Sequence, residues 1–159
     1  MMAMREIVLA FLTEAQWPVQ QTEAPGGSIV ETRFRGNSGE WRLLAEVREN
    51  ESVLAVYSIL DVVVEPEQMA ALTELITRIN FDRPLGNFDL DYETGVISYR
   101  TGVDLSGSSL TAAMAENLVY VNGLTMDRYL PAIVEVLFAG GQPDLVLEKL
   151  ESSLACQDH

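Results

Sequence analysis

The sequence predicts an α+β fold in which an antiparallel sheet of about five strands packs with helices. Three observations carry that prediction. Between residues 29 and 65, three runs rich in Val, Leu, Ile, Trp and Tyr are separated only by turn residues, as in a meander. Residues 86–105 alternate apolar and polar side chains around Thr94-Gly95, as in a hairpin. Segments at both ends of the chain repeat apolar residues every three or four positions, as in helices that cover a sheet. With 159 residues, 48% of them hydrophobic, the chain is long enough to bury a sizeable core, and residues 1–159 read as one domain.

The first helix is written by Ile7, Val8, Phe11, Leu12 and Ala15, which form one stripe that ends before Trp17-Pro18. Its apolar stretch, residues 7–12, is flanked by Glu6 and Glu14 and is short for a signal peptide. No run of about eighteen apolar residues occurs, so a cytoplasmic location without a membrane partner is expected. Residues 18–28 turn to Pro, Gly, Gln and Thr and read as a connection.

Strands follow at about residues 29–35, 40–48 and 52–65. In the first, Val30, Thr32 and Phe34 alternate with Glu31, Arg33 and Arg35; in the second, Trp41, Leu43, Ala45 and Val47 alternate with Glu40, Arg42, Glu46 and Arg48. Each of these strands has one wet face. The third barely alternates: Val53, Ala55, Tyr57, Ile59 and Val63 lie on one side, and Leu54, Val56, Leu60, Val62 and Val64 on the other. Both of its faces are therefore expected to be covered. The four arginines Arg33, Arg35, Arg42 and Arg48 are interleaved with Glu31, Glu40 and Glu46, which predicts cross-strand ion pairing rather than an anion site.

Pro66 suits the first turn of a helix whose stripe is Met69, Leu72, Leu75, Ile76 and Ile79 and which ends near Asn80. In the hairpin, placing Phe88, Leu90, Ile97 and Tyr99 on one face requires paired residue numbers with an odd sum. The loop is then two residues (94–95) or four (92–95), and the two-residue form sets Asp89 opposite Arg100. Ser108 or Ser109 can cap a helix through Ala112, Ala113, Leu118 and Val119, with Asn122-Gly123 as its stop. A further helix at residues 126–139 contains Pro131, which predicts a kink or a broken start, and Gly140-Gly141 ends it. Pro143 opens the last helix, with Leu147, Leu150 and Leu154 along one side.

The net charge is −14, from ten basic and 24 acidic residues, which argues against nucleic acid or an anionic membrane as partner. The single Cys156 allows no intrachain disulfide, and the sole histidine, His159, is the last residue. The body of the chain therefore has no imidazole for a triad, a general base or a zinc site.

Phe88-Asp89-Leu90-Asp91-Tyr92-Glu93 looks like the end of the chitinase-like glycosidase signature. That chemistry needs a strand of a (β/α)₈ barrel of about 250 residues, and Gly86-Asn87 stands where an Asp-Gly pair is required. Read as a calcium loop, Asp89, Asp91 and Glu93 fail because Thr94 and Arg100 occupy the positions that need Gly and a bidentate carboxylate. No catalytic, cofactor or metal residue is assigned, and a hydrolase is the remote alternative.

The order helix, meander, helix, hairpin, helices resembles the YbjN-like family, bacterial proteins labelled sensory transduction regulators. The residues that carry the resemblance are Val56-Tyr57-Ser58, Pro66, Arg78-Ile79-Asn80, the stretch 86–91 with 95–100, and Asp127-Arg128-Tyr129-Leu130-Pro131. The resemblance implies the fold of type III secretion chaperones and a non-enzymatic protein-binding module, chaperone-like or regulatory, with no catalytic residues to carry over. A small-molecule-binding sensory domain is the alternative, and it requires an enclosed cavity with convergent polar groups. The two apolar rows of residues 52–65 predict a homodimer, or a protein client or regulatory partner, covering the side that one chain leaves open.

Overall fold

Helix α1 (Met4–Glu14) is followed by strands β1 (Gln20–Ala24), β2 (Gly27–Arg35), β3 (Glu40–Arg48) and β4 (Val53–Val63), and then by helix α2 (Met69–Phe81). Strands β5 (Asn87–Leu90) and β6 (Val96–Asp104) come next, then helices α3 (Ala112–Phe138) and α4 (Pro143–Ala155). The structure is a computed structural model and describes residues 2–157; His159 lies outside them. The strands form one antiparallel sheet in the order β1-β2-β3-β4-β6-β5.

The sheet has six strands, one more than the sequence predicts. The addition is β1, in the stretch read as a connection. Gln20–Ala24 is a polar edge strand with no apolar alternation, so its periodicity carries no strand signal. Its turn was written in the sequence: Ala24 pairs with Gly27 around Pro25-Gly26, and Gly26 has φ +75°, the combination a type II turn favours.

One face of the sheet makes the core. Val30, Phe34, Trp41, Leu43, Ala45, Val47, Leu54, Val56, Ile97 and Tyr99 are all buried beneath the helices. Helix α1 packs on β2 and β3, α3 on β4 and β6, and α2 on β5, while α4 closes against α2 and α3. Of the predicted α1 stripe, Val8 and Leu12 are buried while Ile7, Phe11 and Ala15 are only partly so, and Met4, which the spacing did not include, joins the core; in α2, Leu72, Leu75, Ile76 and Ile79 are buried as predicted.

Helix α3 corrects the prediction of two helices. It runs unbroken for 27 residues and is capped by Thr111, whose hydroxyl accepts from Met114 N at 3.1 Å, not by Ser108 or Ser109. Asn122-Gly123 does not stop it, because both residues serve the packing of helix on sheet. Asn122 is buried and hydrogen-bonded to β4 and β6, and Gly123 lies so close to the Phe34 ring that a Cβ would collide with it. Pro131 causes no broken start: the helix runs through it, with the proline itself exposed. Gly140, with φ +63°, ends the helix as expected, and Gly141 N closes on Glu135 O at 3.1 Å.

The hairpin adopts the four-residue loop. Phe88 pairs with Tyr99 and Leu90 with Ile97, and Asp91 N donates to Val96 O at 3.0 Å.

Candidate interaction face

All the helices lie on one side of the sheet, so its other side, built from alternate residues of each strand, has no layer over it within the chain. The expectation that both faces of β4 are covered is thereby corrected for a single chain. Val53, Tyr57 and Ile59 are only partly buried, and Val63, beyond a register shift between Ile59 and Val63, is 58% exposed.

Register places the side chains on this face. Glu31, Leu44, Tyr57 and Arg100 form one row across β2, β3, β4 and β6. The neighbouring rows are Ile29, Glu46, Ala55 and Gly102, and Arg33, Arg42, Ile59 and Ser98. An apolar strip therefore follows β4 through Val53, Ala55, Tyr57 and Ile59, widened by Leu44 and Ile29. Charged residues border it on both sides.

Those charges are paired. Arg33 meets Glu40 at 2.8 Å and Asp61 at 3.6 Å; Arg42 meets Asp61 at 3.5 Å and Glu31 at 3.7 Å; Arg48 meets Glu46 at 2.7 Å. The hydrogen bond from Arg33, then that from Arg35, holds the Glu40 carboxyl below the usual range. Burial raises the Tyr57 phenol, and the nearby Glu46 carboxylate adds to the shift. Cross-strand pairing on a solvated face is what the interleaved sequence predicts.

The face is also electrostatically distinct. It carries Arg33, Arg35, Arg42, Arg48 and Arg100 against Glu31, Glu40, Glu46, Asp61, Asp89 and Asp104, five cations to six anions, in a chain of net charge −14. Half of the ten basic residues lie here, so this side is close to neutral while the rest of the surface is strongly acidic.

The acidic residues of the hairpin have structural work. Asp89 meets Arg100 diagonally at 3.0 Å, and Asp91 accepts from Glu93 N at 2.9 Å and Thr94 N at 3.4 Å, which fixes the loop. These backbone donors, Glu93 N first, hold the Asp91 carboxyl below its usual range. Glu93 is exposed. Among the described residues, no group of three or more His, Cys, Asp or Glu side chains is arranged to hold a metal ion.

A cleft of about 820 Å³ opens between the end of α1 and α3, lined by Trp17, Phe34, Tyr120 and Leu124 with Arg33, Arg35, Glu40 and Asp127 at its rim. Its carboxylates are already engaged. Glu40 binds both arginines, and Asp127 accepts from Asn37 N at 3.0 Å and Ser38 N at 2.7 Å, which clamps the β2–β3 turn to α3. Neither the Asp127 clamp nor the Asn122 network was found from sequence, because each spans strands and a helix far apart in the chain. The one local signal was the Asp127–Pro131 stretch itself.

A profile of the YbjN family, described as "Putative bacterial sensory transduction regulator", matches residues 4–135. No curated protein matches the chain. Among solved structures, the chain is similar to the crystal structure of YbjN, "a putative transcription regulator from E. coli", at 9% identity and a TM-score of 0.49, over 79% of this chain and 93% of that one. No helix among the described residues is long and apolar enough to cross a membrane.

Proposed function

The chain belongs to the YbjN family, and on that premise we propose that it is a non-enzymatic regulatory module that binds protein through the helix-free face of its sheet, first of all a second copy of itself. The observation that carries this reading is the apolar strip along β4, left without cover on a face that is nearly neutral in a chain of net charge −14. Burying one Val, Leu or Ile side chain is worth about 1.5–3 kcal/mol, so closure over Val53, Leu44 and Ile59 offers a substantial driving force. Elsewhere two copies repel through like charge; here each brings cations and anions that can face the other's. Five strands about 4.8 Å apart, most of them nine residues long, give a face of roughly 24 Å by 30 Å, on the scale of the ~800 Å² per partner that a standard interface buries.

The small-molecule reading rests on the cleft beside Trp17. It is the weaker of the two, because the cleft is open to solvent and its carboxylates are spent on the protein's own arginines and amides. Hydroxyl-radical footprinting across a concentration series tests the proposal. Leu44, Tyr57 and Ile59 should become protected as protein concentration rises, while the exposed Phe138 of α3 stays reactive. Equal reactivity of all four at every concentration would count against self-association through the sheet.

A further inference from the structure

We propose an oxyanion site where Arg83, in the α2–β5 loop, and Arg128, on α3, converge on Tyr129. Every other basic side chain among the described residues has a carboxylate oxygen 2.7–3.7 Å away. These two have none, in a chain with 24 acidic residues. Both guanidinium groups lie against the same ring, with Arg83 Cζ 5.9 Å and Arg128 Cζ 5.4 Å from the Tyr129 centroid. The carboxylate next to Arg128 in sequence, Asp127, is turned away to the β2–β3 turn, and Asp82, next to Arg83, forms no ion pair with it.

The site is made of donors that are short of acceptors. Arg83 is partly buried, its Nε is buried without a hydrogen-bond partner, and it makes one long hydrogen bond, Nη1 to Tyr129 Oη at 3.4 Å, with the Tyr99 hydroxyl also nearby. Tyr129 is only 5% exposed, and its oxygen accepts from Arg83, so its own proton is left to donate; no acceptor for it is present among the described residues. By contrast, the neighbouring Tyr99 hydroxyl donates to Leu85 O at 2.8 Å. A partly desolvated guanidinium is costly without an anion, and a planar fork beside a phenol O–H matches a tetrahedral oxyanion. Arg128 is exposed, and its long side chain can close over an anion seated on Arg83 and Tyr129. The chemical class is a phosphate group, either free or as the ester of a small metabolite. This site is separate from the sheet face and does not depend on the reading given for it.

Thermal unfolding at neutral pH tests the site, with sodium phosphate, glycerol phosphate and sodium chloride compared at matched ionic strength. At ten times its Kd, the bound anion should raise Tm by roughly 3–6 °C over chloride. Arg128→Gln should reduce the rise and Arg83→Gln abolish it. A larger rise with glycerol phosphate would identify the ester as the source, and a larger rise with phosphate the free ion. A rise no greater than with chloride would overturn the proposal, as would a rise unchanged in Arg128→Gln, which stands as the deciding variant if Arg83→Gln does not fold.

Discussion

Asn122, in the middle of α3, accepts the hydroxyl proton of Ser58 on β4 at 2.6 Å, and Ser58 in turn accepts from Trp41 Nε1 at 2.8 Å. The Asn122 amide nitrogen donates to Val56 O at 2.8 Å and Tyr99 O at 2.9 Å, so one side chain ties the helix to two adjacent strands in a fully buried site. Removing it leaves the Ser58 hydroxyl without its acceptor and a cavity beside it. Asn122→Ala should cost about 1–3 kcal/mol, the range for stranding a buried polar partner. Chemical denaturation checks this, and an unchanged midpoint would contradict the role given to the network.

Gly95 ends the hairpin loop at φ +74°, and a Cβ there would sit 2.5 Å from Val64 O. Its own N–H donates to Asp91 O at 2.7 Å, and its carbonyl accepts from Val64 N at 2.8 Å, so the backbone cannot easily move to make room. Gly95→Val should destabilise by at least about 1–3 kcal/mol, the scale of a strained backbone position. The readout is the denaturation midpoint, which should fall.

Acid should weaken the fold through its paired carboxylates. Glu40, held low first by Arg33 and then by Arg35, contributes stability that is present above its unfolded pKa and lost as pH falls through its lower folded value. Asp91, bound by Glu93 N, and Asp104, bound by Ser106, act in the same direction. Stability should therefore decline below about pH 4, the ordinary carboxyl range. Glu40→Gln should make that decline shallower in melts recorded across pH, and parallel curves for the two proteins would argue against Glu40 as a contributor.

Much of the architecture was legible because it is local. The wet and dry sides of β2 and β3 follow from alternation, and the odd-sum rule limited the hairpin to two loops, of which the structure takes the longer. That loop sets Asp89 opposite Ser98 and Arg100 opposite Asn87, yet Asp89 and Arg100 still meet diagonally. The features that were missed depend on tertiary context. β1 is polar because it is an edge, and Asn122-Gly123 looks like a helix stop because the burial of the one and the close packing of the other against Phe34 are invisible in a linear reading. The sheet face lay between these cases. Its residues could be named from the sequence, but that every helix lies on the opposite side could not.

Sedimentation equilibrium at tens of micromolar, on the natural chain and on Ile59→Glu, tests the central claim most directly. Ile59 sits on the uncovered face beside Tyr57, so the substitution places a charge in the apolar strip without entering the core. The account predicts a species of twice the 17.6 kDa chain mass for the natural protein and a shift towards monomer for the variant. A clean 17.6 kDa monomer for the natural chain, or a dimer that Ile59→Glu leaves intact, would contradict it.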